Sequence, residues 1–342
     1  MTIAPWRATC IQMTSETTSF VDGHAAAWAV INRNLDRALD LIDQACAGAD
    51  KPAMVVLPEF AFQGPPINAA VADWIERSCS PVPGPITARL QEAARRHNIH
   101  IAGNQFEAPP EWAGRFFNTC FLIDPRGEVI LRYRRINTAQ WPSPHDFMDS
   151  YVGALGADGT FPVVRTELGN IGMMACGEIA VPEVARVLML RGAEVLIHPT
   201  NEDDNPAQHA AKVARAAENM MYVVSANVAG AIGFSRDGSV LGGRSQIIDF
   251  GGRIIAIDPA TTDGCSVSAM IDVQALRAAR NVTAMSNALL RTRFEIYAPY
   301  FAGASIYPAN RFLEAPMVDG RVELDAVANA ALENLRRQGI AN

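Results

Sequence analysis

The sequence predicts an α/β protein: a four-layer α-β-β-α sandwich with internal pseudo-duplication. Two observations carry this. The order helix, strand, helix, strand, hairpin occurs twice along the 342 residues. The strands are continuous apolar runs, whereas each helix shows one apolar stripe. Strands of that kind are buried on both faces. A sheet with helices on only one face must bury the other against something, here the second sheet. A doubly wound sheet with helices on both faces is the competing arrangement; the paired hairpins favour the sandwich.

A short strand over residues 8–13 opens the chain. Residues 27–47 set Leu35, Ala38, Leu39, Ile42 and Ala45 on one helical face. The run Met54-Val55-Val56-Leu57 reads as a buried strand ending at Pro58-Glu59. A helix over 84–97, a strand over 99–103 and two strands around Asp124-Pro125-Arg126-Gly127 complete the first unit. The second unit follows the strand Ile171-Gly172-Met173-Met174-Ala175. It opens with a helix over 182–192, a strand over 194–201, a helix over 206–221 and a strand over 222–227. A hairpin of 243–249 and 254–257, turned at Gly251-Gly252, closes it. No Pro/Ser-rich linker parts the halves, so residues 1–280 read as one domain. Residues 281–342 read as an extension with a helix over 323–338, suited to docking or oligomerisation.

Composition narrows the function. The chain is 49% hydrophobic and 19% charged with a net charge of -7. No basic stripe exists to displace counterions from nucleic acid. No apolar run approaches the roughly 18–20 residues that cross a bilayer. The N-terminus lacks a basic-then-apolar leader, so the expected location is cytoplasmic. The six cysteines are scattered without a Cys-x-x-Cys pair, and reduced thiols are expected. Of the 29 basic residues only Lys51 and Lys212 are lysines.

Cys176 stands where its strand runs out, just before a helix beginning at Pro182-Glu183. One reading is a small buried hydrophobe; the other is a nucleophile whose thiolate fraction a nearby base, cation and helix N-terminus would raise. Glu59 ends an apolar strand, where a carboxylate is costly unless exposed or paired. It is either solvated or a general base. Arg135 closes the cluster Arg132, Arg134, Arg135. It is either a solvated strand end or a fixed cation for an oxyanion, helped by backbone N–H groups after Cys176. His198 reads as a hydrogen-bonded core residue, and the Glu202-Asp203-Asp204 run as a solvated acidic loop.

Taken in order, these segments resemble the signature stretches of the nitrilase superfamily of carbon–nitrogen hydrolases. They are joined by Gly192-Ala193-Glu194-Val195-Leu196, Ala214-Arg215-Ala216-Ala217-Glu218-Asn219 and residues 243–249. Trp141-Pro142-Ser143-Pro144 resembles the aliphatic amidase branch. The resemblance covers roughly residues 5–300. It implies a homo-oligomer, dimer or larger, with no metal and no organic cofactor. It also implies a Glu–Lys–Cys triad falling on Glu59, Arg135 and Cys176, with arginine in place of lysine. A second active-site acid, which many members carry, falls on Asp146 or, as a substitute, Glu178. Thr200 and Asn201, ending the counterpart of the Glu59 strand, are expected to line the pocket with Trp141.

Arginine keeps its charge at any accessible pH but is planar, larger and a poor proton donor. The expected function is therefore a cofactor-free cysteine hydrolase that cleaves a non-peptide C–N bond of a small amide through a thioester. A nitrilase using the same thioester, a decayed binding or scaffold protein, and an ammonia-supplying glutaminase module are the alternatives.

Overall fold

Alternation within the strands sets the layers. In the strand Met54–Val56, Met54 and Val56 join a cluster with Ile171, Leu196 and Val224, while Val55 joins one with Leu35, Ile42 and Leu90. Successive side chains point to opposite faces of a sheet. One face of this sheet therefore packs on a second sheet and the other on helices. The computed structural model describes residues 2–67, 69–138, 140–231 and 239–341.

The first half runs β1 (Trp6–Gln12), α1 (Gly23–Cys46), β2 (Met54–Val56), α2 (Val71–Ser78), α3 (Pro85–His97), β3 (His100–Glu107), β4 (Phe117–Ile123) and β5 (Val129–Arg134). A helix α4 (Met148–Thr160), broken by the positive φ of Gly156, and β6 (Val163–Thr166) lead into the second half. That half runs β7 (Gly169–Met173), α5 (Pro182–Leu190), β8 (Val195–Thr200), α6 (Pro206–Asn219), β9 (Tyr222–Asn227), β10 (Gln246–Ile248) and β11 (Ile254–Ile257). The chain ends with β12 (Gly264–Ile271), α7 (Val273–Arg280), α8 (Phe294–Gly303) and α9 (Gly320–Arg337).

The strand order is β12-β1-β2-β3-β4-β5 in one sheet and β11-β10-β9-β8-β7-β6 in the other. β1, β2 and β3 are parallel, and β4 and β5 turn back antiparallel. β7, β8 and β9 repeat the parallel set, and β10 and β11 the hairpin. The four-layer sandwich and its duplication are therefore as the sequence predicts. Two edge strands were not predicted: β6 beside β7 and β12 beside β1, both antiparallel. They occupy matching places in the two sheets, but β6 precedes its half whereas β12 follows both, so a repeat read in sequence order passes over them. No helix among the described residues is long and apolar enough to cross a membrane.

Residues beyond 280 do more than extend outward. Asn310 and Phe312 donate backbone hydrogen bonds to the carbonyls of His145 (3.1 Å) and Asp146 (2.8 Å). Arg115 Nη2 donates to the Phe312 carbonyl at 2.6 Å. This stretch straps onto the segment after β5. By contrast α8 exposes Ile296, Tyr297, Tyr300 and Phe301.

Candidate active site

Parallel strands bring their C-terminal ends to one edge, so residues following β2 and β7 meet there. Glu59 follows β2, Arg135 follows β5 and Cys176 follows β7. All three reach one open cavity of about 600 Å³. The two half-chains touch at this edge, where the Glu59 N–H donates to the Thr200 carbonyl at 3.3 Å.

The Glu59 side chain is fully buried. Its Oε1 accepts from Asn118 Nδ2 at 2.7 Å and from Arg135 Nη1 at 3.2 Å. Its Oε2 is buried and has no hydrogen-bond partner among the described residues. Burial raises its pKa to about 7, against the opposing pull of Arg135, Asn118 and the Cys176 thiol. Asn118 is itself braced by Asn104 Nδ2 at 2.5 Å.

Arg135 turns back so that Nε donates to the Asn137 carbonyl at 3.1 Å. Its guanidinium carbon lies 5.7 Å from the centre of the Trp141 ring, within cation–π range. Burial is the largest single influence on its pKa and acts downward. Its acidic neighbours, Glu59 foremost, outweigh it, so the pKa is raised and the cation persists.

Cys176 has φ +43°, a left-handed conformation rare for a residue with a β-carbon. It opens a short 3-10 turn, Cys176–Ala180, rather than a long helix. Its thiol donates to the Asn201 carbonyl at 3.7 Å. Burial, then the Glu59 charge, raise the thiol pKa well above its ordinary value, and Arg135 only partly opposes them. The expectation of an enhanced thiolate at rest is therefore corrected: the resting thiol keeps its proton. The backbone share of an oxyanion site is also narrower than expected, since the Glu178 N–H is committed to the Ala175 carbonyl at 3.0 Å.

Of the other residues singled out, Trp141 and Asn201 line the cavity. Asp146, Glu178 and Thr200 are not on its wall. Asp146 instead caps its own turn, with Oδ2 accepting from Ser143 N at 2.7 Å, and burial lifts its pKa to about 6. Glu178 Oε1 gathers Tyr133 Oη (2.8 Å), Ile136 N (3.1 Å) and Asn137 N (2.9 Å), and Oε2 accepts from Ala175 N at 3.3 Å. These bonds tie the Arg135 segment to the Cys176 turn and leave Glu178 no reach toward a substrate. Thr200 turns its hydroxyl to Glu202 Oε2 at 3.1 Å. Glu202 is not the solvated loop acid expected, being buried in an ion pair with Lys212.

His198 is the core residue the sequence suggests. Its Nε2 lies 2.9 Å from the Cys176 carbonyl, which can only accept, so Nε2 carries the proton and Nδ1 accepts from Ser225 Oγ at 2.9 Å. Burial and Lys212 depress its pKa to about 3, so it stays neutral. Sequence reasoning missed Asn118, Asn137, Gln208 and Tyr307. For Asn118 a signal existed: an amide inside the apolar run of β4. No cluster of His, Cys, Asp or Glu among the described residues could hold a metal ion.

The carbon–nitrogen hydrolase family model matches residues 7–281. The chain belongs to that family. It is 30% identical over 254 residues to omega-amidase NIT2 of Xenopus tropicalis, covering 72% of this chain and 86% of the relative. It is 31% identical over 250 residues to an (R)-stereoselective amidase of a Pseudomonas species, covering 72% and 82%. Among solved structures it resembles an amidase from a Nesterenkonia species (TM-score 0.61, 19% identity, 86% of this chain and 96% of that one). It also resembles Saccharomyces cerevisiae Nit3, of the nitrilase superfamily (TM-score 0.63, 19% identity, 82% and 96%). These structural likenesses are of fold. Within the carbon–nitrogen hydrolases, amidases rather than nitrilases are the named sequence relatives of this enzyme.

Proposed function

We propose that this hydrolase cleaves the C–N bond of a small amide through a thioester on Cys176, with Glu59 as the only proton carrier. The observation that carries the reading is that the buried, unpartnered Oε2 of Glu59, the Cys176 thiol and the Arg135 guanidinium share one cavity.

Glu59 takes the thiol proton as Sγ attacks the amide carbonyl carbon. The C=O electron pair moves to oxygen, and Arg135 balances that developing charge. The C–N bond then breaks, and Glu59 returns the proton to the nitrogen so that ammonia or an amine leaves. A water next attacks the thioester carbon, giving its proton to Glu59. The C–S bond breaks, the thiolate recovers that proton, and the acid departs. One water is consumed, and one acid and one amine are formed. A guanidinium holds its protons throughout, so Arg135 stabilises charge without relaying it.

The test is substrate consumption by mass spectrometry over a panel of amides and nitriles, wild type beside Cys176→Ala. Amides consumed by wild type alone, with an acyl adduct on the intact protein, are the expected result. Equal consumption by Cys176→Ala would sink the mechanism; consumption of nitriles alone would move the substrate class.

A further inference from the structure

The strap of residues 307–313 delivers a side chain to the cavity that the proposed chemistry does not use. Tyr307 lines the same cavity as Glu59, Arg135 and Cys176. Its hydroxyl is buried and has no hydrogen-bond partner among the described residues. Its ring lies 5.9 Å from that of His145, another wall residue, tilted by 54°. The strap is fixed just beyond it by the backbone bonds of Asn310 and Phe312 and by Asn310 Oδ1, which accepts from Asp149 N at 2.9 Å. Tyr307 therefore does not float in the opening; it is held there.

A buried hydroxyl without a partner is destabilising, and natural proteins seldom retain one without use. The groups around it indicate what would complete it. Burial and the nearby Asp146 carboxylate hold the phenol in its protonated form, so it has a proton to donate. His145 is kept from charging by burial, so it adds no positive charge beside the phenol, and the Asp146 carboxylate nearby disfavours an anion there. The missing partner is thus a neutral acceptor.

We propose that Tyr307 is a specificity-determining residue. It donates a hydrogen bond to a neutral acceptor oxygen on the acyl chain of the substrate, away from the scissile amide. This rests on the amide hydrolase reading above and refines it: the preferred substrates are amides carrying a carbonyl or ether oxygen, over plain aliphatic amides of the same length.

The experiment measures binding in an inert Cys176→Ala background by calorimetry. It uses two matched pairs, pentanamide with 4-oxopentanamide and hexanamide with 5-oxohexanamide. At least one oxo-amide should bind about three- to tenfold more tightly than its plain partner, and adding Tyr307→Phe should collapse that ratio to near one. Melting temperature provides a second readout. Removing a hydroxyl that lacks a partner should leave Tm unchanged or raise it, whereas a hydroxyl paired with Asp146 would make Tyr307→Phe lower it.

No oxo preference in either pair, a preference that survives Tyr307→Phe, or a lowered Tm with both amide classes weakened alike would each overturn the proposal. Turnover assays on the same compounds keep the two readings apart. Binding contrast without turnover sinks the hydrolase reading alone, and turnover without contrast sinks this one alone.

Discussion

Arg135 Nη2 lies 3.1 Å from the point where a β-carbon on Gly177 would stand. The guanidinium thus fills the space that a side chain after Cys176 would take. A lysine head is smaller, so the arginine and the glycine form a matched pair. Gly177→Ala is expected to displace the guanidinium by a few tenths of an ångström and lower kcat about tenfold. In an Arg135→Lys background the same change should cost less. A double-mutant cycle on kcat/KM checks this; strictly additive losses would mean the two positions are independent.

The pH profile should carry the signature of Glu59. A base must be unprotonated to accept the thiol proton, so activity is present above its pKa and lost below. With that pKa raised from 4.5 to about 7, kcat/KM should rise with pH through about 7. A limb near 4.5 would rule Glu59 out as the buried base. Because Arg135 opposes the rise, Arg135→Met should push the limb higher still while lowering the plateau.

Glu178 predicts a fault of another kind. Glu178→Ala leaves the Tyr133 hydroxyl and three backbone N–H groups without their carboxylate. A stability loss of roughly 2–3 kcal/mol is expected, with kcat falling further than substrate affinity because the Arg135 segment loosens. Urea denaturation and steady-state kinetics check both parts. Unchanged stability would mean that water replaces the carboxylate fully.

The left-handed backbone of Cys176 should be measurable as strain. A left-handed conformation costs an L-residue about 1–2 kcal/mol, which glycine escapes. Both Cys176→Ala and Cys176→Gly should be inactive. The glycine variant should be the more stable by about 1 kcal/mol, read from chemical denaturation. The reverse order would show that the turn is relaxed with cysteine in place.

His198→Ala removes the donor to the Cys176 carbonyl and leaves the Ser225 hydroxyl without its acceptor. Iodoacetamide should then alkylate Cys176 at a changed rate, with thermal stability lowered. Since His198 stays neutral down to about pH 3, its loss should not move the limb assigned to Glu59. A shifted limb would give His198 a part in the proton chemistry.

Much of this was legible in the sequence because period and order are backbone properties. β9 falls on the predicted residues 222–227, and α3 and α6 lie within two residues of their predicted ends. Glu59, Arg135 and Cys176 each stand at a strand end, and the resemblance to the nitrilase superfamily is what grouped them. What a strand end does not fix is the direction of a side chain. Asp146 and Glu178 look like substrate ligands in one dimension, but each turns back on neighbouring N–H groups. Tyr307 was out of reach for a different cause: its place depends on where the strap crosses, which no local pattern encodes.

The contact between Glu59 N and the Thr200 carbonyl joins matching ends of the two repeats. Exact repetition would put an acid like Glu59 at position 200 and a thiol like Cys176 at position 13; this chain has neither. Glu59 answers to Thr200 and Asn201 in the other repeat, and Cys176 to the Gln12–Met13 end of β1. The proposed catalytic set is thus one of broken symmetry: the first half supplies Glu59 and Arg135, the second Cys176, and each half contributes what its twin lacks.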